Sequence, residues 1–205
     1  MKKAMTVTYK VDSGLYVNVT NKCSNNCTFC IRNNGDGAYG SDSLWLTREP
    51  TVDEICESIF ENYSEDTVEL VFCGYGEPSY RLDDIVEVVK RVRERYPHLP
   101  VRINTNGQSD LINGRSTAEC FSVFDTVSIS LNTPDADKYE TLCIPRFGKE
   151  AFFAMLRFAK EVKKYSPNVL LSVVRETLTE DELCHCKRIA DECGVTLKVR
   201  TYISA

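Results

Sequence analysis

Three cysteines stand close together near the start of the chain, Cys23, Cys27 and Cys30, and Phe29 directly precedes the last of them. They follow a short strand-like run, Leu15 to Thr20. Three thiolates on one tight loop can hold three corners of a [4Fe–4S] cluster and leave the fourth iron without a protein ligand. A substrate or cosubstrate can coordinate at such an open metal position. The spacing therefore predicts a catalytic cluster loop over residues 23–30.

A second candidate site is the stretch Cys73-Gly74-Tyr75-Gly76-Glu77-Pro78, at the end of a predicted strand. Two glycines within three residues permit a close backbone approach. Exposed backbone polar groups there could bind the amine of a ligand. A plain strand-to-loop turn is the alternative. Because ligands of parallel sheets bind at the carboxyl ends of the strands, we expect this stretch beside the cluster loop.

The elements that position these motifs alternate between strand and helix patterns. Period-2 and apolar runs predict six strands, over residues 15–20, 68–73, 101–104, 126–131, 169–174 and 196–202. Apolar faces of 3.6-residue period predict helices between them, with capping boxes at Thr51–Glu54 and Thr179–Glu182 and a short helix over 117–122. The predicted fold is α/β, a partial (β/α)6 TIM-like barrel with parallel strands. We expect residues 1–205 to form a single domain, with a long loop over 31–50.

Several strands carry polar side chains at alternate positions. A parallel sheet covered on both faces would instead show near-continuous apolar strands. The pattern predicts that one sheet face lines a polar, hydrated or ligand-filled lumen; polar side chains satisfied by one another or by water are the alternative. The residues concerned are Asn18, Thr20, Arg102, Asn104, Ser128, Ser130, Asn132, Lys198, Arg200 and Tyr202.

Composition narrows the class of protein. With 205 residues, 42% hydrophobic and 27% charged, the chain resembles ordinary globular proteins, and its formal charge of -5 argues against a nucleic-acid surface. No apolar run reaches the roughly 18 residues of a membrane span. The ten cysteines would suit a secreted disulfide scaffold, but the N-terminus lacks a signal-peptide core. A reducing cytoplasm is therefore the predicted location.

Taken together, the cluster loop, the Gly74–Pro78 stretch and the six β/α units resemble the radical S-adenosylmethionine (SAM) superfamily. The first matches that family's C-x3-C-x2-aromatic-C motif. The second resembles its GGEP motif, with Tyr75 inserted or standing in for the first glycine. More narrowly, the chain looks like the short TatD-linked (TatD family-associated) radical SAM proteins, in stretches 30–37, 72–78, 102–107 and 199–202.

The resemblance implies a role for each matching residue. Cys23, Cys27 and Cys30 would bind a [4Fe–4S] cluster, and SAM would chelate its fourth iron. Phe29 would lie near the adenine. The methionyl amine would be held by Gly74, Gly76 and Glu77. Candidates for the ribose and carboxylate are Asn104, Asn106, Ser130 and Asn132.

The resemblance also implies a reaction. An electron donor such as flavodoxin or ferredoxin would reduce the cluster, SAM would be cleaved to a 5′-deoxyadenosyl radical, and that radical would abstract hydrogen from a substrate. Inward cations suit a small molecule with a carboxylate or phosphate. The candidate substrate residues are Arg32, Asn33, Asn34, Arg102, Arg175, Lys198, Arg200 and Tyr202. An internal ion-pair network with Glu77 or Glu176, or a solvated loop, is the alternative.

Two other functions compete with a small-molecule enzyme. One is an activase that makes a glycyl radical on a partner protein. The other is a non-enzymatic iron–sulfur or zinc module, although zinc would need a fourth ligand and none lies near Cys30 in the sequence. The remaining cysteines show no second ligand spacing: Cys186 and Cys193 follow a helix's apolar face, and Cys120 and Cys143 are isolated.

Overall fold

The computed structural model describes residues 4–201, which form a seven-stranded sheet with helices packed against it. The strands are β1 (Thr8–Val11), β2 (Gly14–Val17), β3 (Glu69–Phe72), β4 (Val101–Thr105), β5 (Thr126–Ser130), β6 (Asn168–Val174) and β7 (Thr196–Arg200). The helices are α1 (Val52–Asn62), α2 (Leu82–Arg95), α3 (Ser109–Asn113), α4 (Ala136–Cys143), α5 (Glu150–Val162) and α6 (Glu180–Cys193).

The order of strands in the sheet follows their order in the chain, and β2 to β7 all run parallel. Each parallel pair is connected through at least one helix. This is the predicted partial (β/α)6 TIM-like barrel. Within residues 4–201, no helix combines the length and the apolar character needed to cross a bilayer.

The sequence patterns do not predict β1. It pairs antiparallel with β2 through a tight turn in which Asp12 has a φ of 51°. A four-residue strand offers only two alternations, too few for a period-2 signal. The result is a hairpin at the first edge of the sheet.

The first parallel strand ends at Val17, before the predicted boundary at Thr20. The prediction that Asn18 and Thr20 face the lumen is wrong. Asn18 Nδ2 donates to the carbonyl oxygen of Leu44 at 2.8 Å, and Thr20 Oγ1 donates to Glu49 at 2.8 Å. Both side chains therefore hold the end of the long loop.

Local capping explains where α1 and α6 begin. Both predicted capping boxes are present, Thr51 with Glu54 and Thr179 with Glu182. The short helix predicted over 117–122 is a 3-10 helix, Ala118–Val123. The sequence patterns do not predict α3 and α4, whose few residues give weak periodicity.

The core lies between the sheet and the helices. In β4 the apolar positions are fully buried while Arg102 and Asn104, which alternate with them, point to the opposite face. The helices contribute large buried side chains such as Ile55, Ile85 and Phe158. Packing thus covers one sheet face and leaves the polar face available for a site.

Candidate functional site

A cavity of about 610 Å³ lies at the carboxyl ends of the parallel strands. The predicted cluster loop, the glycine stretch and the polar strand ends all contribute to its wall. Of the predicted site residues, the wall includes Cys23, Cys27, Phe29, Cys30, Gly74, Gly76, Glu77, Arg102, Asn104, Asn106, Ser130, Asn132, Lys198 and Arg200. Residues in or just after β4, β5 and β7 therefore meet the cluster loop and the glycine stretch at one place.

Backbone hydrogen bonds hold the cluster loop against the end of α4 and the residues after it. Asn26 N donates to Cys143 O at 3.0 Å, and Thr28 N donates to Leu142 O at 3.0 Å. Arg146 N donates to Ser24 O at 2.7 Å. These bonds satisfy the loop backbone and fix its path.

Buried side chains tie the same loop to the end of β4. Asn106 Nδ2 donates to Ser24 Oγ at 2.8 Å. Gln108 Nε2 donates to Asn25 Oδ1 at 2.8 Å and lies 3.1 Å from the hydroxyl of Tyr139. Because these polar groups are buried and paired, they make the loop rigid at the point where its thiols face the cavity.

Arg32, Asn33 and Asn34 are outside the cavity wall. Arg32 Nη2 donates to Asn26 Oδ1 at 2.7 Å, and Asn33 Nδ2 donates to Cys27 O at 3.2 Å. These two side chains pack back onto the cluster loop. The structure therefore places them as supports of the loop, away from a substrate in the cavity.

Burial disfavours the ionised form of the three cavity thiols. Burial and the nearby Glu77 carboxylate raise the pKa of Cys23 to about 12, and burial raises the pKa of Cys30. Among residues 4–201, no three His, Cys, Asp or Glu side chains converge closely enough for a single metal ion. A [4Fe–4S] cluster takes its thiolates on different irons, so this spread of thiols is compatible with a cluster.

The neighbour of Cys27 is a residue that sequence reasoning missed. A hydrogen bond with the Cys143 thiol is the main cause that raises the pKa of Cys27, and the same bond lowers the pKa of Cys143. Both cysteines are reduced, and Cys143 is fully buried. Its sequence position carries no ligand spacing, so only the packing of α4 on the cluster loop reveals the contact.

Gly74 and Gly76 form a tight cradle where the glycine stretch passes the cluster loop. A Cβ on Gly74 would lie 2.1 Å from Asn18 Oδ1. A Cβ on Gly76 would lie 2.2 Å from the carbonyl oxygen of Thr20 and 2.7 Å from that of Lys22. Only glycine permits this approach, which brings two motifs into contact.

Glu77 follows the cradle and is buried. Its Oε1 accepts from Thr105 Oγ1 at 2.7 Å and its Oε2 accepts from Asn106 N at 2.7 Å. Burial raises its pKa, while these hydrogen bonds and those from Ser79 oppose the shift. The carboxyl group thus joins β3 to the end of β4 as well as lining the cavity.

Tyr75, the departure from the GGEP pattern, anchors the long loop. Its hydroxyl lies 2.9 Å from Gly35 O and 2.8 Å from Gly37 O, and its ring packs edge to face on Trp45. The side chain is buried, with 2% exposed. The substituted motif position therefore holds residues 31–50 against the cavity.

The polar strand ends converge as predicted. Asn132, just after β5, adopts a left-handed φ of 63° and is buried, with 3% exposed. Its Oδ1 has no hydrogen-bond partner within residues 4–201. An unpartnered buried acceptor in a cavity wall is a costly arrangement that a bound donor would relieve.

The cations of the lumen separate into two kinds. Arg102 is already paired, since its Nη2 lies 2.6 Å from Glu69 Oε1 and 3.2 Å from the hydroxyl of Tyr16. Lys198 and Arg200 form no ion pair with the rest of the described chain, and Arg200 Nε is buried without a hydrogen bond there. The unneutralised positive charge in the wall therefore comes from β7.

Arg175, another candidate substrate residue, is not brought to the cavity. Arg175 binds the carbonyl oxygen of Leu178 and pairs with Glu180 in front of α6. Tyr202 lies outside the described residues.

The residues present fit the two groups that the sequence motifs imply. Three thiols face one cavity, a glycine cradle admits a close backbone contact, and the Oδ1 of Asn132 is an unpaired acceptor. The cavity volume is within the range of small-molecule sites.

Comparison with known proteins gives an independent view of this site. Residues 17–188 match the family model described as "Radical SAM superfamily". The GTP 3',8-cyclase of Streptomyces coelicolor is 31% identical over 137 residues, which cover 65% of this chain and 37% of that protein. The probable GTP 3',8-cyclase of Methanothermobacter thermautotrophicus is 29% identical over 125 residues, covering 61% of this chain and 37% of that protein.

Solved structures share the fold. Streptococcus suis SuiB bound to S-adenosylmethionine superposes with a TM-score of 0.65 at 18% identity, covering 92% of this chain and 38% of that one. Methylornithine synthase (PylB) gives a TM-score of 0.61 at 18% identity, covering 92% of this chain and 52% of that one. The chain spans a little over a third of the length of the two cyclases.

Proposed function

Because this chain belongs to the radical SAM superfamily, whose enzymes use a [4Fe–4S] cluster and S-adenosylmethionine, we propose that its cavity performs radical chemistry on a small anionic molecule. The observation that supports this most directly is the convergence of three thiols, the glycine cradle and the β7 cations on one cavity.

When bound, the reduced cluster and SAM supply one-electron cleavage of the sulfonium, giving methionine and a 5′-deoxyadenosyl radical that removes a hydrogen atom from substrate. Cys23, Cys27 and Cys30 would hold the cluster, and the backbone at Gly74 and Gly76 would receive the methionyl amine. Phe29 would face the adenine. The polar groups for ribose and carboxylate would be Asn104, Asn106, Ser130 and Asn132.

The proposed anionic substrate rests on the contrast between the cations. Arg102 has its charge balanced by Glu69, whereas Lys198 and Arg200 in the same wall have no acidic partner in residues 4–201. Lys198 is exposed to solvent, and Arg200 is half-buried with its Nε buried. Cations of a cavity wall without an acidic partner among the described residues favour a bound carboxylate or phosphate. The related cyclases are named for GTP, itself a polyanion, which agrees with a charged substrate.

The size of the cavity favours a small molecule over a partner protein. The cavity of about 610 Å³ would also have to hold the cluster and SAM, so the space left for a substrate is that of a small molecule. Tyr75 holds the long loop beside it. A glycyl-radical activase would instead have to admit a peptide segment. We also propose that a flavodoxin or ferredoxin donates the electron. We propose further that the chain is one of the short TatD-linked radical SAM proteins.

One experiment tests the radical chemistry. The protein is reconstituted anaerobically with iron and sulfide, reduced with dithionite and mixed with SAM, and 5′-deoxyadenosine is quantified. We expect product from the wild type and from Cys184→Ala, whose thiol is exposed on α6. Cys27→Ala should give none, and equal product from wild type and Cys27→Ala would refute the proposal.

A second experiment tests the anion preference. Inorganic phosphate is titrated against the reconstituted protein while the unfolding temperature is recorded. Phosphate should stabilise the wild type and the surface control Arg188→Gln more than it stabilises Arg200→Gln or Lys198→Gln. Equal stabilisation of all four proteins would contradict an anion site on β7.

A further inference from the structure

Cys143 is far from the cluster loop in sequence but lies directly against it in the fold. The residues on either side of Cys27 bind the end of α4, with Asn26 N at 3.0 Å from Cys143 O and Thr28 N at 3.0 Å from Leu142 O. These two backbone bonds hold Cys27 beside Cys143. The Cys143 side chain is fully buried, so solvent does not compete for its thiol.

A polar side chain of the cavity wall continues this contact. Asn132 Nδ2 donates to Cys143 Sγ at 3.4 Å, a normal length for a bond to sulfur. The other end of that amide, Oδ1, is the buried acceptor that lacks a partner among residues 4–201. A line of contacts therefore runs from the cavity through Asn132 and Cys143 to Cys27.

The direction of the hydrogen bonds follows from simple chemistry. A cysteine that binds iron does so as a thiolate, which has no proton to donate. The amide of Asn132 already donates to the Cys143 sulfur. In the metal-free chain the two thiols share one hydrogen bond. Once Cys27 binds iron as a thiolate, the only proton left for that bond would be that of Cys143, which would then be the donor.

We propose that Cys143 is a positioning residue that donates a hydrogen bond to the Cys27 sulfur of the loaded cluster and is oriented by Asn132. The inference rests on the proposed function. Hydrogen bonds to cluster sulfurs help to set the reduction potential. Because the reduced cluster is the more negative state, such a bond stabilises it and raises the potential.

The test measures the cluster itself. Wild type, Cys143→Ser and Cys143→Val are reconstituted, and the midpoint potential is obtained by electron paramagnetic resonance during a redox titration without SAM. Serine keeps a donor, whereas valine fills the space without one. Cys186→Val serves as a matched control, because Cys186 is equally buried but packs in α6. Iron content and unfolding temperature are recorded for every protein.

The inference predicts a more negative potential for Cys143→Val alone, with Cys143→Ser and Cys186→Val close to wild type. Equal potentials for Cys143→Val and wild type would overturn it, as would equal shifts in the serine and valine variants. Loss of iron from Cys143→Ser to the level of Cys27→Ala would also overturn it, by making Cys143 a ligand. If wild type itself bound no cluster, the proposed function would fail instead.

Discussion

The ring of Tyr75 packs edge to face on the ring of Trp45, with their centroids 5.1 Å apart. Tyr75 belongs to the glycine stretch beside the cluster loop, and Trp45 belongs to the long loop. This contact, together with the Tyr75 hydroxyl between Gly35 O and Gly37 O, joins the two segments. The long loop is thus attached to the site at a motif position that differs from the GGEP pattern.

Tyr75→Phe should loosen this attachment. The ring contact with Trp45 is kept, but the carbonyl oxygens of Gly35 and Gly37 lose their shared donor, at a cost of about 1 kcal/mol of unfolding free energy. Trp45 is the only tryptophan, so its fluorescence quenching by acrylamide reports the loop directly and should increase. Tyr165→Phe, at an exposed tyrosine, should leave both quantities unchanged. Quenching unaltered by Tyr75→Phe would show that the hydroxyl does not hold the loop.

Gly76→Ala should damage the cluster site. The added Cβ meets backbone carbonyl oxygens of Thr20 and Lys22 at 2.2 and 2.7 Å, and backbone cannot move aside as a flexible side chain can. We expect a loss of about 2–3 kcal/mol in unfolding free energy and a reduced iron content after reconstitution. Gly35→Ala is the matched control, since its Cβ would make only an ordinary contact at 3.8 Å. Full iron content in Gly76→Ala would show that the segment shifts to admit the methyl group.

Arg102 and Glu69 should behave as a coupled structural pair. Arg102→Met leaves a half-buried carboxylate without its partner, so we expect a loss of about 1–3 kcal/mol in unfolding free energy. In a double-mutant cycle with Glu69→Gln, urea unfolding should show a favourable coupling energy of about 1 kcal/mol between the two side chains. This is less than for a fully buried pair, because Glu69 is partly exposed. Zero coupling would mean that Arg102 is available for a ligand, as the sequence suggested.

Ile144→Gly should stabilise the segment after α4, which binds the cluster loop through backbone hydrogen bonds. Ile144 has a φ of 43° just after α4, a left-handed conformation that is unfavourable for a β-branched residue. Nearly half of the side chain is exposed, so little packing is lost. Glycine relieves the strain of the folded state but increases the conformational entropy of the unfolded chain. The strain is the larger effect, so we expect the unfolding free energy to rise by about 0.5–1 kcal/mol. Ile144→Val, which is still β-branched, should show no gain; equal stabilities of the two variants would exclude strain at this position.

Local patterns in the chain were sufficient for the fold class and for the starts of α1 and α6. The alternation in β4 and β5 reports which side of a strand is buried, because side chains of successive residues point to opposite faces. The capping boxes at Thr51 and Thr179 are likewise contained within four residues. The hairpin strand β1 and the short helix α4 were missed because segments of that length contain little periodicity.

The sequence by itself determined that the cluster loop, the glycine stretch and the ends of β4 and β5 lie together, since a parallel topology brings all strand ends to one edge. Tertiary structure alone decided which of these residues form ion pairs and which thiols lie in contact. Arg102 and Arg200 look alike in the alternating pattern, yet within residues 4–201 only Arg102 meets a carboxylate, that of Glu69 on the neighbouring strand. Cys143 looks isolated until α4 packs on the cluster loop beside Cys27. Such pairings depend on the distance between segments far apart in the chain, which no local spacing encodes.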